Sequence, residues 1–194
     1  LYLAHQSFRR GLFENFDTAL WRDAFNSVAF ASIATLAALL LGLTTILAWR
    51  WRPDPLRFIA MNIAQTGYTL PGLVLALGLL APLLAIDNGL NALAGWLGHS
   101  LPGLIIVGSG AAVVIAYVIR FLAVPTGFIK AGFERIPRDY DDSARAVGAG
   151  QGTTMRLIHL PLLRPAMLGA AIVVFVDCLK ELPATLLLRP LNVE

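Results

Sequence analysis

Charged residues are unevenly spread along this chain: they gather in a few short segments and leave long apolar runs between them. Ala24–Trp49, Phe58–Ile86 and Asn88–Ile119 hold 26, 29 and 32 residues without a single Asp, Glu, Lys or Arg. A helix needs about 20 such residues to cross the ~30 Å hydrocarbon core of a bilayer at ~1.5 Å rise per residue. A surface helix of a soluble bundle would show charged or strongly polar side chains every third or fourth position. A fourth apolar stretch, Pro165–Leu188, is interrupted by Asp177, Lys180 and Glu181. The pattern predicts an all-α chain, a polytopic bundle of transmembrane helices with spans near residues 24–49, 62–86, 104–124 and 166–188.

Composition agrees with that pattern. Hydrophobic residues make up 57% of the 194 residues and charged residues only 14%, against about 25% charged in a soluble domain. Charge is expensive in hydrocarbon, which accounts for the deficit. The net charge of +3 reflects where the basic residues stand, and gives no reason to expect nucleic acid. Short loops rich in Lys and Arg stay on the cytoplasmic side. Arg50, Arg52 and Arg57 follow the first expected span, and Lys130, Arg135, Arg138, Arg145, Arg156 and Arg164 follow the third, with Arg120 just inside it. Residues 87–103 carry no Lys or Arg. The bias puts 50–57 and 125–165 in the cytoplasm and 87–103 outside.

Residues 1–23 are expected to form an amphipathic segment on the outer surface, with Phe8, Leu12, Phe13, Phe16 and Leu20 at roughly helical spacing. The first apolar run is too long and starts too late for a signal peptide. The remaining residues, 24–194, are expected to form one membrane domain. Pro71 and Gly72 interrupt the second span, a break that membrane helices tolerate where neighbours or a cavity satisfy the freed backbone groups.

The segment between the third and fourth spans is long for a helix connection, and it is patterned. Pro137-Arg138-Asp139-Tyr140-Asp141-Asp142 reads as a helix start, with proline and carboxylates where the helix dipole favours them. Ile136, Tyr140, Ala144 and Val147 make one semi-apolar stripe, and Gly148 ends it as a residue able to take positive φ. Thr153 is expected to cap a second short helix that Pro161 stops. Two short helices meeting at a glycine-rich turn make a docking knob for a soluble partner.

This loop resembles the cytoplasmic EAA loop of bacterial ABC importer permeases, E-A-A-x3-G-x9-I-x-L-P. Asp142-Ser143-Ala144 stands for E-A-A, Gly148 is the glycine, and Ile158-His159-Leu160-Pro161 matches I-x-L-P with every spacing kept. Asp replaces Glu and Ser the first Ala, preserving charge and size. The resemblance implies a coupling-helix loop over residues 137–161 that fits a groove on a separate ATPase dimer, with ATP bound there. It also implies a periplasmic solute-binding protein, a second permease half and a place in the bacterial inner (plasma) membrane. Asn26-Ser27, Tyr68-Thr69-Leu70-Pro71-Gly72 and Lys180 to Pro190 look like ferric-iron permeases. This sequence resembles their second half, broken off before the last membrane segments. That likeness implies ferric iron as the solute, with thiamine, polyamine, phosphonate or sulfate as the alternatives, because permeases for those share much of the framework.

Other chemistry finds little support. Gly148-x-Gly150-x-Gly152 follows no strand and lacks the Gly-Lys-Ser/Thr ending of a phosphate-binding loop, so neither ATP nor another cofactor is expected on this chain. His5, His99 and His159 have no metal-ligand spacing; His159 is expected to be solvated or stacked. No catalytic triad or nucleophile elbow is present, and the one cysteine, Cys178, has no partner for an internal disulfide. Charges inside a membrane segment are functional candidates by default. Asp177, Lys180 and Glu181, beside Pro183, therefore form a candidate gate in the pathway. An intramembrane enzyme or an ion-coupled carrier using the same three residues is the rival, but neither needs the patterned loop.

Overall fold

The computed structural model describes residues 18–51, 54–98 and 103–188, in which every regular element is a helix. In chain order these are α1 (Thr18–Trp51), α2 (Pro55–Thr66), α3 (Gly72–Trp96), α4 (Gly110–Phe121), α5 (Ala123–Glu134), α6 (Asp139–Ala146), α7 (Gln151–Lys180) and α8 (Leu182–Leu188). Helices α1, α3 and α7 are each long and apolar enough to cross a membrane, and α4 with α5 makes a fourth candidate, bent by 43°.

The helices correspond to the four apolar runs, but their bounds differ from the expected spans for local reasons. Residues 1–17 lie outside the described residues, and 18–23 belong to the first turns of α1. The run from Phe58 is divided. Pro55 starts α2 with Asp54 as cap, its carboxylate accepting from Leu56 N at 3.2 Å. A 3-10 turn, Gly67–Thr69, follows, and then Leu70 and Pro71 are extended with ψ of 136° and 137°. A residue before proline is pushed out of the helical region, so the second spanning helix starts at Gly72 and continues to Trp96 instead of ending at 86.

Asp87, which closes the apolar run in the sequence, sits inside α3 with its side chain fully buried. Its two oxygens accept from the backbone amides of Ile105, Ile106 and Val107 at 2.8–3.2 Å. The carboxylate therefore holds the irregular segment that leads into α4. Ser109 caps that helix through Ala111 N, so that it starts at Gly110, six residues after the expected start at 104.

The fourth spanning helix begins at Gln151, not near 166. It passes Pro161 because a π-turn, Met155–His159, precedes the proline and Leu160 N bonds back to Met155 O. The wider turn relieves the missing N–H and the ring clash that proline brings to a helix. Pro161 thus does not stop the second helix, and Gly150 rather than Thr153 stands at its cap position. With α5 taking up residues 123–134, the loop expected over 125–165 contracts to a short connection carrying α6.

Packing has two centres. Near α6, Leu43, Ile46 and Leu47 of α1 meet Met61, Ile129, Phe133, Ile136 and Leu163. In the other half of the bundle Ala31, Ala34 and Ala38 of α1 pack with Ala112, Val113 and Ala116 of α4, Leu75 and Leu83 of α3, and Val174 and Cys178 of α7. Small residues at these spacings let membrane helices approach closely. Polar groups on α1 are satisfied within it: Ser32, Thr35 and Thr45 donate to carbonyls one turn earlier at 2.7 Å. Leu36, Leu40, Leu77, Leu168 and Ile172 are exposed, as side chains facing hydrocarbon or an apolar partner are.

Candidate functional site

The first polar centre is built around α6. Asp139, Asp141 and Asp142 occupy its first turn, where carboxylates complement the helix dipole. Gly148 has φ of 79°. Gly148 N bonds to Arg145 O at 3.0 Å and Ala149 N to Ala144 O at 2.9 Å. That is a Schellman C-cap, which only a residue at ease with positive φ closes without strain. The stripe expected as one face divides. Ile136 and Ala144 are buried, whereas Tyr140 and Val147 are exposed, Val147 by 84%. Asp142 and Ser143 are exposed with them, and Asp142 pairs with Arg145 at 3.3 Å. Of the later motif residues, Ile158 and Leu160 are partly buried and Pro161 is exposed.

What fixes α6 is a residue the motif does not include. One oxygen of Asp141 faces Arg50, with Nη2 at 2.7 Å and Nε at 3.2 Å. The other lies 2.7 Å from Nε2 of His159, a contact of proximity rather than an aligned hydrogen bond. Arg50 also donates to Phe133 O at 3.4 Å and lies over the Phe133 ring, 5.0 Å from its centroid. His159 meets the same ring edge-on at 5.2 Å. It is fully buried, so of the two expectations, solvated or stacked, the first does not hold, and the ring contact is edge-on rather than stacked. The last turn of α1, the first turn of α6 and the π-turn of α7 are thus joined through one carboxylate. Beside it, Arg50, Asp141, Arg145, Gly150 and Thr154 line a cavity of about 330 Å³.

The second centre lies in the other half of the bundle. Glu181 interrupts the chain between α7 and α8 and pairs with Arg120 of α4, Oε2 to Nε at 3.0 Å. Arg120 Nη1 also donates to Leu70 O at 2.5 Å. Alongside, the Tyr117 and Thr185 hydroxyls share a 2.5 Å hydrogen bond, and Thr185 donates to Glu181 O. Of the four residues expected as a gate, only Glu181 enters this network. Asp177 is partly buried, Lys180 is exposed, and among the described residues no ion pair joins them. Pro183 is exposed in the first turn of α8, where its missing N–H costs nothing.

Sequence reasoning missed Asp141, Asp87 and the role of Arg120. Asp141 was screened by Asp142, which holds the motif position. Arg120 stood out only as a basic residue inside a span. Among the described residues no three His, Cys, Asp or Glu side chains cluster as metal ligands do.

A thiamine transport system permease protein of Brucella suis is 29% identical over 177 residues, covering 90% of this chain and 32% of its own length. A trehalose transport system permease protein of Mycobacterium tuberculosis is 27% identical over 175 residues, 89% of this chain and 56% of its own. A putative ferric transport system permease protein of Haemophilus influenzae is 31% identical over 85 residues, 44% of this chain and 13% of its own. The chain therefore spans about a third of the length of the thiamine permease it matches. The crystal structure of an amino acid ABC transporter with histidines shares the fold, with a TM-score of 0.50 at 22% identity over 83% of this chain and 66% of that one. Residues 34–189, which take in most of α1, both polar centres and α8, match the family of binding-protein-dependent transport system inner membrane components, and the chain belongs to that family of multi-pass ABC importer permeases.

Proposed function

We propose that this chain forms part of the translocation pathway of an ATP-driven importer and is coupled to a separate ATPase dimer through residues 137–161. One observation carries the reading. α6 and its C-cap residue present Tyr140, Asp142, Ser143 and Val147 to solvent while Asp141 fastens the same helix to α1 and α7. A helix exposed on one face and anchored on the other suits the transfer of a partner's movement into the bundle. ATP then belongs to the partner subunit, and this chain binds no cofactor of its own. The α6 side is cytoplasmic, the side opposite it receives solute from a periplasmic binding protein, and a second permease half, fused or separate, completes the pathway.

The solute is proposed first as thiamine or a similar small organic molecule, because a thiamine permease matches along 90% of the chain. Ferric iron is the second reading. It is supported by the shorter match to a ferric permease and by the run from Lys180 to Pro190.

Co-purification of the permease with the ATPase of the same transport system tests the docking role. Asp142→Lys is expected to lose the ATPase while the permease still inserts in the membrane. Normal ATPase recovery with that variant overturns the docking role. An intramembrane enzyme or ion-coupled carrier would need no ATPase at all. Uptake of labelled thiamine and of ferric iron, each with its binding protein, separates the two solutes.

A further inference from the structure

We propose that Arg120 and Glu181 form a charge lock across three broken helices, and that this lock opens and closes during transport. The proposal rests on the importer function above and adds Arg120 as a positioning residue.

Three interruptions meet at this pair: the extended Leu70–Pro71 segment before α3, the 43° bend between α4 and α5, and the break at Glu181. Arg120 reaches all three. It stands at the end of α4, donates to the Leu70 carbonyl that Pro71 keeps out of a helix, and pairs with Glu181. Gly72 makes room for the carboxylate, since a Cβ built there would collide with Glu181 Oε1. The carboxylate thus stands at the N-terminus of α3, where the helix dipole favours it.

Two features fit a lock, and the place of the pair at three helix interruptions sets it apart from the Asp141 centre, which shares them. Buried ion pairs add little stability over well-packed apolar side chains and are best attested where they select between arrangements, and charge within a span is costly. The side chains of Arg120 and Glu181 are only 17% and 9% exposed. In addition, the pair leaves bonding capacity unused, because Glu181 Oε1 and Arg120 Nε have no aligned hydrogen-bond partner. Helix breaks are where a chain absorbs changes of φ and ψ, so releasing this pair frees α3, α4 and α8 from one another.

The chain carries its own reporter. Cys178, its one cysteine, is buried one turn before Glu181 in the same apolar cluster as Tyr117, Phe121 and Ala184. Separation at the break would expose its thiol. The test uses the full permease with its ATPase and binding protein in lipid nanodiscs, treats it with N-ethylmaleimide, and quantifies the Cys178 peptide by mass spectrometry. Labelling is expected to be slow at rest and to rise roughly tenfold during ATP turnover, as a minor open state becomes a major one. Arg120→Gln should label at the turnover rate even at rest. Exchanging the charges, Arg120→Glu with Glu181→Arg, should restore nucleotide dependence. A purely structural pair would move the melting temperature but not this dependence, and the wild-type measurement decides the matter even if a variant fails to fold. A complex that transports while Cys178 stays equally protected with and without ATP overturns the lock and leaves the importer function standing. Absence of any ATP-driven uptake overturns both.

Discussion

Asp141 and Glu181 are both carboxylates drawn largely out of water and set against an arginine, yet they stand in unlike surroundings. Asp141 lies on a short polar helix at one end of the bundle. It takes Arg50 on one oxygen and His159 on the other. Glu181 lies between two apolar helices, and one of its oxygens has no hydrogen-bond partner. Each centre leaves two buried polar atoms without an aligned hydrogen bond, the ring nitrogens of His159 in the first and Arg120 Nε with Glu181 Oε1 in the second. What differs is the backbone they join: the first ties together helical turns of α1, α6 and α7, the second three helix interruptions. On the proposed function, the first centre is a mount that would receive the movement of the ATPase and the second a lock that would yield to it.

The largest expected effect comes from dismantling the mount. Asp141→Ala leaves Arg50 and the buried His159 without their shared anion. Removing one partner of a buried pair costs about 3–5 kcal/mol, and the Asp141 side chain is only 17% exposed. Thermal unfolding in detergent should show a clear fall in melting temperature, with transport and ATPase recovery lost together. Asp142→Lys, by contrast, reverses a 69% exposed charge, so ATPase recovery should fall while the melting temperature stays near wild type. If the two variants behave alike, anchoring and docking are not separate functions of neighbouring residues.

Gly148→Val probes the same mount with a smaller expected loss. Nothing lies near a Cβ at this position, so the cost comes from φ of 79° alone. A left-handed conformation costs a non-glycine residue roughly 1–2 kcal/mol, more for a β-branched one. Transport should fall several-fold with membrane insertion intact. If Gly148→Asn recovers most of it, the cause is φ, since Asn tolerates that region.

The legibility of these features in the sequence follows their range. Spanning helices were readable because 26 to 32 consecutive uncharged residues admit few other structures. The helix Asp139–Ala146 and its glycine cap were readable because their signals are local: acidic residues at the start and a glycine just past the end. The breaks were not. Proline at 71 ends a segment, whereas proline at 161 lies within a continuing helix, and only the preceding π-turn distinguishes them. Buried pairs were the least readable. Arg50 and Asp141 are 91 residues apart, and nothing along the chain announces that they meet. Asp87 was hidden for the same reason, since its partners are backbone amides 18 to 20 residues on.

The smallest effect belongs to the charges beside the lock, and it separates the two halves of the candidate gate. Asp177, Lys180 and Glu181 fall within four residues on or just past α7, so a helical surface alone would allow Asp177 and Lys180 to pair. In the fold Lys180 is exposed and unpaired with Asp177, whereas Glu181 reaches Arg120. Exchanging Asp177→Lys with Lys180→Asp preserves net charge and touches none of the pairs described. Lys180 is exposed near the helix end, where a charge reaches the interface by snorkelling, and the swap sets the longer lysine side chain at the partly buried position 177. Transport by the swapped variant should stay within about twofold of wild type, because neither residue enters the buried pairs described. Glu181→Gln in the same assay should abolish the nucleotide dependence of Cys178 labelling. A swapped variant that inserts and binds its ATPase but does not transport would show that Asp177 and Lys180 also belong to the gate, and that charge position on α7, rather than the Arg120 pair alone, controls it.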